Sequence, residues 1–179
     1  MKYCSHCGSS VSLQIPPGDN LPRRVCEDCG TVHYQNPNVV VGCVPQWQDQ
    51  ILLCKRAIEP RSGFWTVPAG FLENRETLQE AAIRETAEEA LANVDLGSLL
   101  AIVNVPHASQ IHMMFRARLL EPDFGPGDET LESALYTEDQ VPWSLIAFPS
   151  VRFTLERFFA DRASGGEELH ITTVGPIKY

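Results

Sequence analysis

The stretch Gly70-Phe71-Leu72-Glu73-Asn74-Arg75-Glu76, continued by Thr77-Leu78-Gln79-Glu80-Ala81-Ala82-Ile83-Arg84-Glu85-Thr86-Ala87-Glu88-Glu89-Ala90, decides the reading of this chain. Residues 77–90 read as a helix, because Ala, Leu, Glu and Arg dominate and neither Gly nor Pro interrupts them. Thr77 followed three residues later by Glu80 makes a capping box at its start. Glu85, Glu88 and Glu89 fall at i, i+3 and i+4 and share one helical face. Three carboxylates on one face repel each other. Arg84 can pair with Glu88, but one guanidinium cannot balance three acids. A hard divalent cation with oxygen ligands can. The bland alternative is a solvated acidic face, against which stand the apolar frame of the cluster and the Pro68-Ala69-Gly70 turn before it. Spacing alone leaves both readings open. Glu73 and Glu76, in the preceding loop, are placed to fold over the same face or to tie down Arg84.

Outward from this segment, Val39–Val44 and Ile51–Arg56 read as strands around a polar turn at Gln48-Asp49-Gln50. Phe64–Val67 is short and β-prone, and Pro68-Ala69-Gly70 breaks it. Leu99–Val105 and Ile111–Leu120 read as strands, with a Pro/Gly loop at 121–128 and a short strand at Leu135–Thr137. An amphipathic helix covers 151–159, starting near Pro149-Ser150 and stopped by Ser164-Gly165-Gly166. The tail carries a last strand at Leu169–Val174. Mixed strands and helices in this order predict an α+β chain or an α/β sandwich.

The N-terminal part reads differently. Cys4-Ser5-His6-Cys7 and Cys26-Glu27-Asp28-Cys29 are two CxxC pairs eighteen residues apart, each followed by glycine, Gly8 and Gly30. Glycine permits the tight turn that aims amides at the thiolates. This spacing predicts a four-thiolate zinc site. Two disulfides are the alternative, which an oxidising compartment would favour. With Cys4, Cys7, Cys26 and Cys29 as ligands no position stays open for water, so the zinc is structural. His6 and His33 read as surface residues, and Cys43 and Cys54 as small buried hydrophobes. Asn36-Pro37-Asn38 marks a boundary, giving a ribbon at 1–36 and a domain at 37–179 whose tail is 164–179.

The chain has 179 residues, 44% of them apolar, with 14 Lys+Arg against 23 Asp+Glu and a net charge of −9. That is enough apolar content for a core. The acidic balance argues against a nucleic-acid partner. No apolar run approaches the ~18 residues that a membrane span needs, and Met1-Lys2-Tyr3-Cys4 has no apolar signal region. A soluble, cytoplasmic protein without a membrane partner is expected.

Gly70, five residues, Glu76, seven residues, Arg84-Glu85, two residues, Glu88-Glu89 resembles the box of the Nudix hydrolases. Thr86 holds a position usually aliphatic and Leu91 one usually glycine; neither removes a carboxylate. The resemblance implies the Nudix fold, a mixed sheet sandwiched between helices as α/β/α, with Mg²⁺ or Mn²⁺ held by Glu85, Glu88 and Glu89 and by a carbonyl of Ala69 or Gly70. It implies catalytic roles for Glu85, Glu88, Arg84 and Glu76, with Arg84 orienting the glutamates partly through Glu76. Glu85 or Glu88 would serve as general base, as would a loop acid such as Glu129 or Glu132. The cysteine ribbon, Tyr34-Gln35-Asn36-Pro37, Gly63–Gly70 and Ala147-Phe148-Pro149-Ser150 are similar to the subgroup with an N-terminal zinc ribbon. NADH pyrophosphatases of that subgroup carry Ser-Gln-Pro-Trp-Pro-Phe-Pro after the box, where this chain has Leu99–Asn104. The resemblance therefore implies ADP-ribose or FAD as substrate, with NADH or a non-catalytic sensor as alternatives and a homodimer as the assembly. Arg56 and Arg61 are candidates for phosphate or ribose, and of Phe64 and Trp65 one is expected to stack on a base and the other to be core; Trp65 is put forward as the contact. His107 and His112 sit around a loop between two strands; a histidine base is the alternative, and polar loop residues explain them adequately.

Overall fold

The structure, a computed structural model, describes residues 1–176, and its contacts divide the chain into Met1–Asn36 and Pro37–Tyr179. Residues 177–179, the end of the expected tail, lie outside the described residues.

In the first unit, β1 (Val11–Gln14), β2 (Arg23–Cys26) and β3 (Val32–His33) form a small antiparallel sheet in that order. Asp19 organises the loop between β1 and β2, accepting from the amides of Asn20 and Leu21 and from Arg23. Cys4, Pro16 and Cys26 are its buried residues, so the unit has almost no apolar core.

The second unit is a mixed sheet in the order β10-β5-β4-β9-β8-β11. Its strands are β4 (Asn38–Trp47), β5 (Gln50–Arg56), β8 (Val94–Val105), β9 (Gln110–Leu119), β10 (Thr130–Tyr136) and β11 (His170–Thr173), with the short β6 (Trp65–Thr66) and β7 (Ala69–Phe71) paired to β5 and β4. β4 runs parallel to β9, and β11 parallel to β8; the other pairings are antiparallel. Strand alternation splits the core between the faces. Val41, Cys43, Leu52, Cys54 and Phe115 pack with Ala81, Ala82 and Ala90 of α1 (Leu78–Ala90). Val44, Ile51, Leu53 and Met114 pack with Val151, Leu155, Phe158 and Phe159 of α2 (Pro149–Ser164). A helix therefore covers each face, as expected of the α/β/α arrangement.

Several elements differ from expectation. Ala69–Phe71 is not a break but a strand, in register with Val40, Val41 and Gly42. Gly42 permits the approach, since a Cβ there would collide with Pro68 and Ala69. β8 begins at Val94 rather than Leu99 because Gly97 and Ser98 are absorbed at register shifts between Leu96 and Ala101. β10 begins at Thr130, five residues earlier than expected. α2 runs on to Ser164 and ends where Gly165 takes a left-handed φ of 72°. α1 starts with the expected capping box, in which Thr77 Oγ1 accepts from the Glu80 amide at 3.2 Å and Glu80 accepts from the Thr77 amide at 2.8 Å.

Candidate active site

Among the described residues, two clusters are candidates for holding a metal ion. The first is the cysteine cluster. Cys7 Sγ lies 3.5 Å from both Cys26 Sγ and Cys29 Sγ, and Cys4 Sγ lies 3.7 Å from Cys29 Sγ. Four thiolates at ~2.3 Å around a tetrahedral zinc stand ~3.8 Å apart, so the set fits that ion. Gly8 and Gly30, with φ of 79° and 70°, return their amides to the carbonyls of Cys4 and Cys26. The Thr31 hydroxyl at 3.1 Å, helped by the Thr31 amide, pulls the Cys29 thiol down to about 6. His33 is not a bystander on the surface: its Nε2 lies 3.3 Å from Cys4 Sγ. Cys43 and Cys54 are buried in the sheet, and burial pushes each thiol up to about 12.

The second is the floor of a cleft of about 1360 Å³ within the second unit. Glu85, Glu88 and Glu89 of α1, Ala69 and Gly70 of β7, and Glu129 line it. Arg84 ties the acids together. Its Nε and Nη2 grip Glu76 at 3.0 and 2.8 Å, and its Nη1 donates to Glu85 at 2.7 Å and Glu88 at 3.0 Å. Glu76 in turn accepts from the Glu73 amide, and Arg84 with that amide holds its carboxyl below the usual range. Glu89 accepts from the Ala69 amide at 3.0 Å. A side chain at Gly70 would occupy the space of the Glu85 carboxylate, so glycine is what lets β7 pass that close.

Burial pushes Glu89 up to about 7, reinforced by Glu85 and Glu129 and opposed by the Ala69 amide and Arg56. Burial also raises Glu85, against the pull of Arg84. These acids are thus under-compensated, and an all-oxygen set lacking counter-charge fits a hard divalent cation. Among the described residues the four cysteines are the set of three or more ligand side chains whose atoms gather within 4.8 Å. Glu85 and Glu88 turn instead to Arg84, and Glu89 to the Ala69 amide.

Thr86, in the usually aliphatic position, is fully buried; its hydroxyl donates to Ala82 O at 2.8 Å and meets Cys43 Sγ at 3.1 Å. Leu91 takes the glycine position in the left-handed conformation, φ 49°. The loop at 121–128 completes the helix end, with Gly125 and Gly127 amides donating to Ala90 O and Glu89 O. This docking brings Glu129 into the cleft, whereas Glu132 turns to Lys55 at 3.5 Å and does not line it.

Arg56 and Arg61 both line the cleft, each stacked on an aromatic ring, Phe148 at 5.1 Å and Phe64 at 4.4 Å. Trp65 does not line it. It is buried at 5% exposure, edge-on to Tyr136 at 5.2 Å, because strand alternation turns it into the core and Phe64 outward. Of the two aromatics, Phe64 and not Trp65 lines the cleft. Sequence reasoning missed Phe148, Gln110 and the burial of His112, all of which the cleft reaches. The Ala147–Ser150 segment held a signal for the first; nothing local marked the others.

Comparison with known proteins gives two family matches. A family described as Nudix N-terminal matches residues 2–35, and one described as NUDIX domain matches residues 36–155. The chain is 30% identical over 150 residues to an NAD-capped RNA hydrolase NudC of Vibrio vulnificus, covering 79% of this chain and 53% of that protein. It is 29% identical over 113 residues to an ADP-ribose pyrophosphatase of Methanocaldococcus jannaschii, covering 61% and 67%. Among solved structures, a NUDIX hydrolase from Nitrosomonas europaea superposes with a TM-score of 0.95 at 50% identity, covering 98% of this chain and 100% of that one. The chain spans about half the length of the NudC relatives it matches.

Proposed function

Because the chain belongs to the Nudix family, we propose that it hydrolyses the pyrophosphate bond of a nucleoside diphosphate linked to a second moiety, with ADP-ribose or FAD as substrate, giving a nucleoside monophosphate and a second phosphate. The carrying observation is the Glu85–Glu88–Glu89 set, with Glu85 and Glu88 bound to Arg84 and Glu89 to the Ala69 amide, on the floor of a cleft large enough for a dinucleotide. Glu85, Glu88 and Glu89, with a carbonyl of Ala69 or Gly70, would hold Mg²⁺ or Mn²⁺. Bound there, the cation supplies charge withdrawal from the pyrophosphate and a lowered pKa for the attacking water. Arg84, gripped by Glu76, sets the orientation of Glu85 and Glu88. Arg56 and Arg61 meet the phosphates, and Phe64 and Phe148 offer apolar faces beside them. Glu129 joins Glu85 and Glu88 as a candidate general base, since it lines the cleft and Glu132 does not.

A second reading, cleavage of a nicotinamide dinucleotide or of an NAD-capped RNA end, draws on the similarity to the proteins named NAD-capped RNA hydrolase. The cysteine set would hold a structural Zn²⁺ in either case. Incubation with Mg²⁺ and a panel of ADP-ribose, FAD, NADH, ADP-glucose and an NAD-capped RNA separates the readings, and no turnover of any of them sinks both. Glu89→Gln is expected to lose most activity while its melting temperature stays at or above that of the wild type. Normal turnover by that variant would overturn the metal assignment.

A further inference from the structure

The N-terminal ribbon holds a polar contact that its four cysteines do not explain. β2 carries Arg24 and Cys26 two residues apart, and so on one face of the small sheet. Register pairs Arg24 with His33 of β3, which puts the imidazole on that same face. From there its Nε2 reaches Cys4 Sγ at 3.3 Å, across 29 residues of chain. The ring stays outside the ligand set. Among the described residues, the ligand atoms that gather within 4.8 Å of one another are the four cysteine sulfurs, and the His33 nitrogen is not among them. The sulfurs already stand at the spacing of a tetrahedral zinc site, so loading the ion gives Cys4 no reason to leave His33.

The charge of such a site gives the contact a purpose. Four thiolates outweigh the two positive charges of Zn²⁺, so a loaded site is a dianion. The ribbon's own cations do not offset it: Lys2, Arg23 and Arg24 are matched by Asp19, Glu27 and Asp28, and Arg23 is engaged by Asp19 at 2.9 Å. Exposure then divides the cysteines. Cys7 and Cys29 are exposed and water can solvate their sulfurs, whereas Cys4 and Cys26 are 3% and 2% exposed and depend on donors from the protein. Cys4 accepts from the His6 amide at 3.4 Å. A thiolate has no proton to give, so in a loaded site the Cys4–His33 contact has one sense: Nε2–H donates and Sγ accepts. Donors behind the ligands orient them and strengthen the metal's hold.

We propose that His33 completes the zinc site from outside, its Nε2–H bonding the Cys4 thiolate and pinning the first cysteine pair to β3. The proposal rests on the zinc reading of the four cysteines and on nothing in the hydrolase reading. Titration of the whole chain, stripped of metal, with Zn²⁺ against a chromogenic chelator tests it in the wild type, His33→Leu and His33→Gln. Leucine keeps the bulk and removes the donor; glutamine places an N–H at the reach of Nε2. His33→Leu is expected to weaken zinc binding about 10–100-fold, and His33→Gln to recover most of that loss. With Co²⁺ in place of zinc, the wild type should show the charge-transfer bands of four thiolates. His33→Leu should move those bands to longer wavelength, because a thiolate without its hydrogen bond gives up an electron more readily. Unchanged zinc affinity in His33→Leu would overturn the proposal, and so would equal losses in both variants, which would show that the ring acts through packing. A cobalt spectrum of three thiolates and one imidazole would overturn it by placing His33 among the ligands. A wild type that takes up no Zn²⁺ would sink the zinc reading and the proposal together, whereas uptake with an unchanged His33→Leu would sink the proposal alone.

Discussion

His112 shows how much the register of a strand decides about one side chain. An imidazole held neutral by burial must take up its proton when the chain unfolds in mild acid. Its pKa is about 4 in the fold and ~6.5 in the unfolded chain. Between these values the unfolded state binds more protons, so stability falls as pH drops from about 6.5 to 4. His112→Met removes this contribution. Melting curves taken between pH 7 and pH 4 should show the wild type losing on the order of 2–3 kcal/mol more than the variant; parallel losses would mean that the ring is hydrated in the fold. Such a residue is hard to read in advance. In the sequence His112 follows a loop and looks like a polar loop residue, and only its register between Val40 and Val103 shows it to be buried. The same holds for Phe64 and Trp65. Their adjacency guarantees that one faces in and the other out, but the sequence has no feature that chooses between them. The glutamates of the box are different, because their gathering in the cleft depends on spacing along one helix, and helical spacing is written directly in the residue numbers.

At the scale of elements, α1 was readable in full, from the Thr77–Glu80 capping box to its last turn. Its C-terminal end was not. Leu91 is a poor residue for a left-handed cap, and the missing compensation comes from a distant loop whose Gly125 and Gly127 amides bind the last carbonyls of the helix. β7 was hidden for a similar reason: Pro68-Ala69-Gly70 looks like a break until Gly42, on another strand, makes room for pairing. Long-range compensation of this kind leaves no local signal. It is testable at Gly127, where an added Cβ would run into the carbonyl of Glu88, whereas at Gly125 it would meet only Leu91 at 3.7 Å. Gly127→Ala should therefore cost about 1–3 kcal/mol in urea unfolding. It should also depress turnover by displacing Glu129 from the cleft. Gly125→Ala should stay within about 0.5 kcal/mol of wild type. Equal effects at the two positions would show that the loop adapts freely and does not hold the helix end.

At the scale of the molecule, the acidity and the proposed metal sites belong together. Residues 73–89 carry six Glu against two Arg, which is −4 of the net −9. A cation bound there would invert the local field that these acids create, and so would reconcile an acidic chain with the anionic substrate proposed for it. The ribbon is the opposite case. It has three basic and three acidic residues, Lys2, Arg23 and Arg24 against Asp19, Glu27 and Asp28, and so contributes no net charge. It also buries almost nothing apolar: two of its three buried residues are the cysteines Cys4 and Cys26. Thirty-six residues without a core cannot offset their own conformational entropy, and small metal-stapled units of this kind are folded by the ion. The second unit has its own two-faced core and owes nothing to zinc. Removal of zinc with a strong chelator at neutral pH should therefore abolish amide-exchange protection across residues 1–36. Protection within α1, β4 and β9 should persist, along with the melting transition of the larger unit. Re-addition of Zn²⁺ should restore the ribbon's protection, whereas Mg²⁺ should not, since thiolates prefer the softer ion. Retained protection at residues 1–36 after verified zinc loss would assign the ribbon's stability to its three short strands, and loss of protection throughout the chain would show that the two units fold as one.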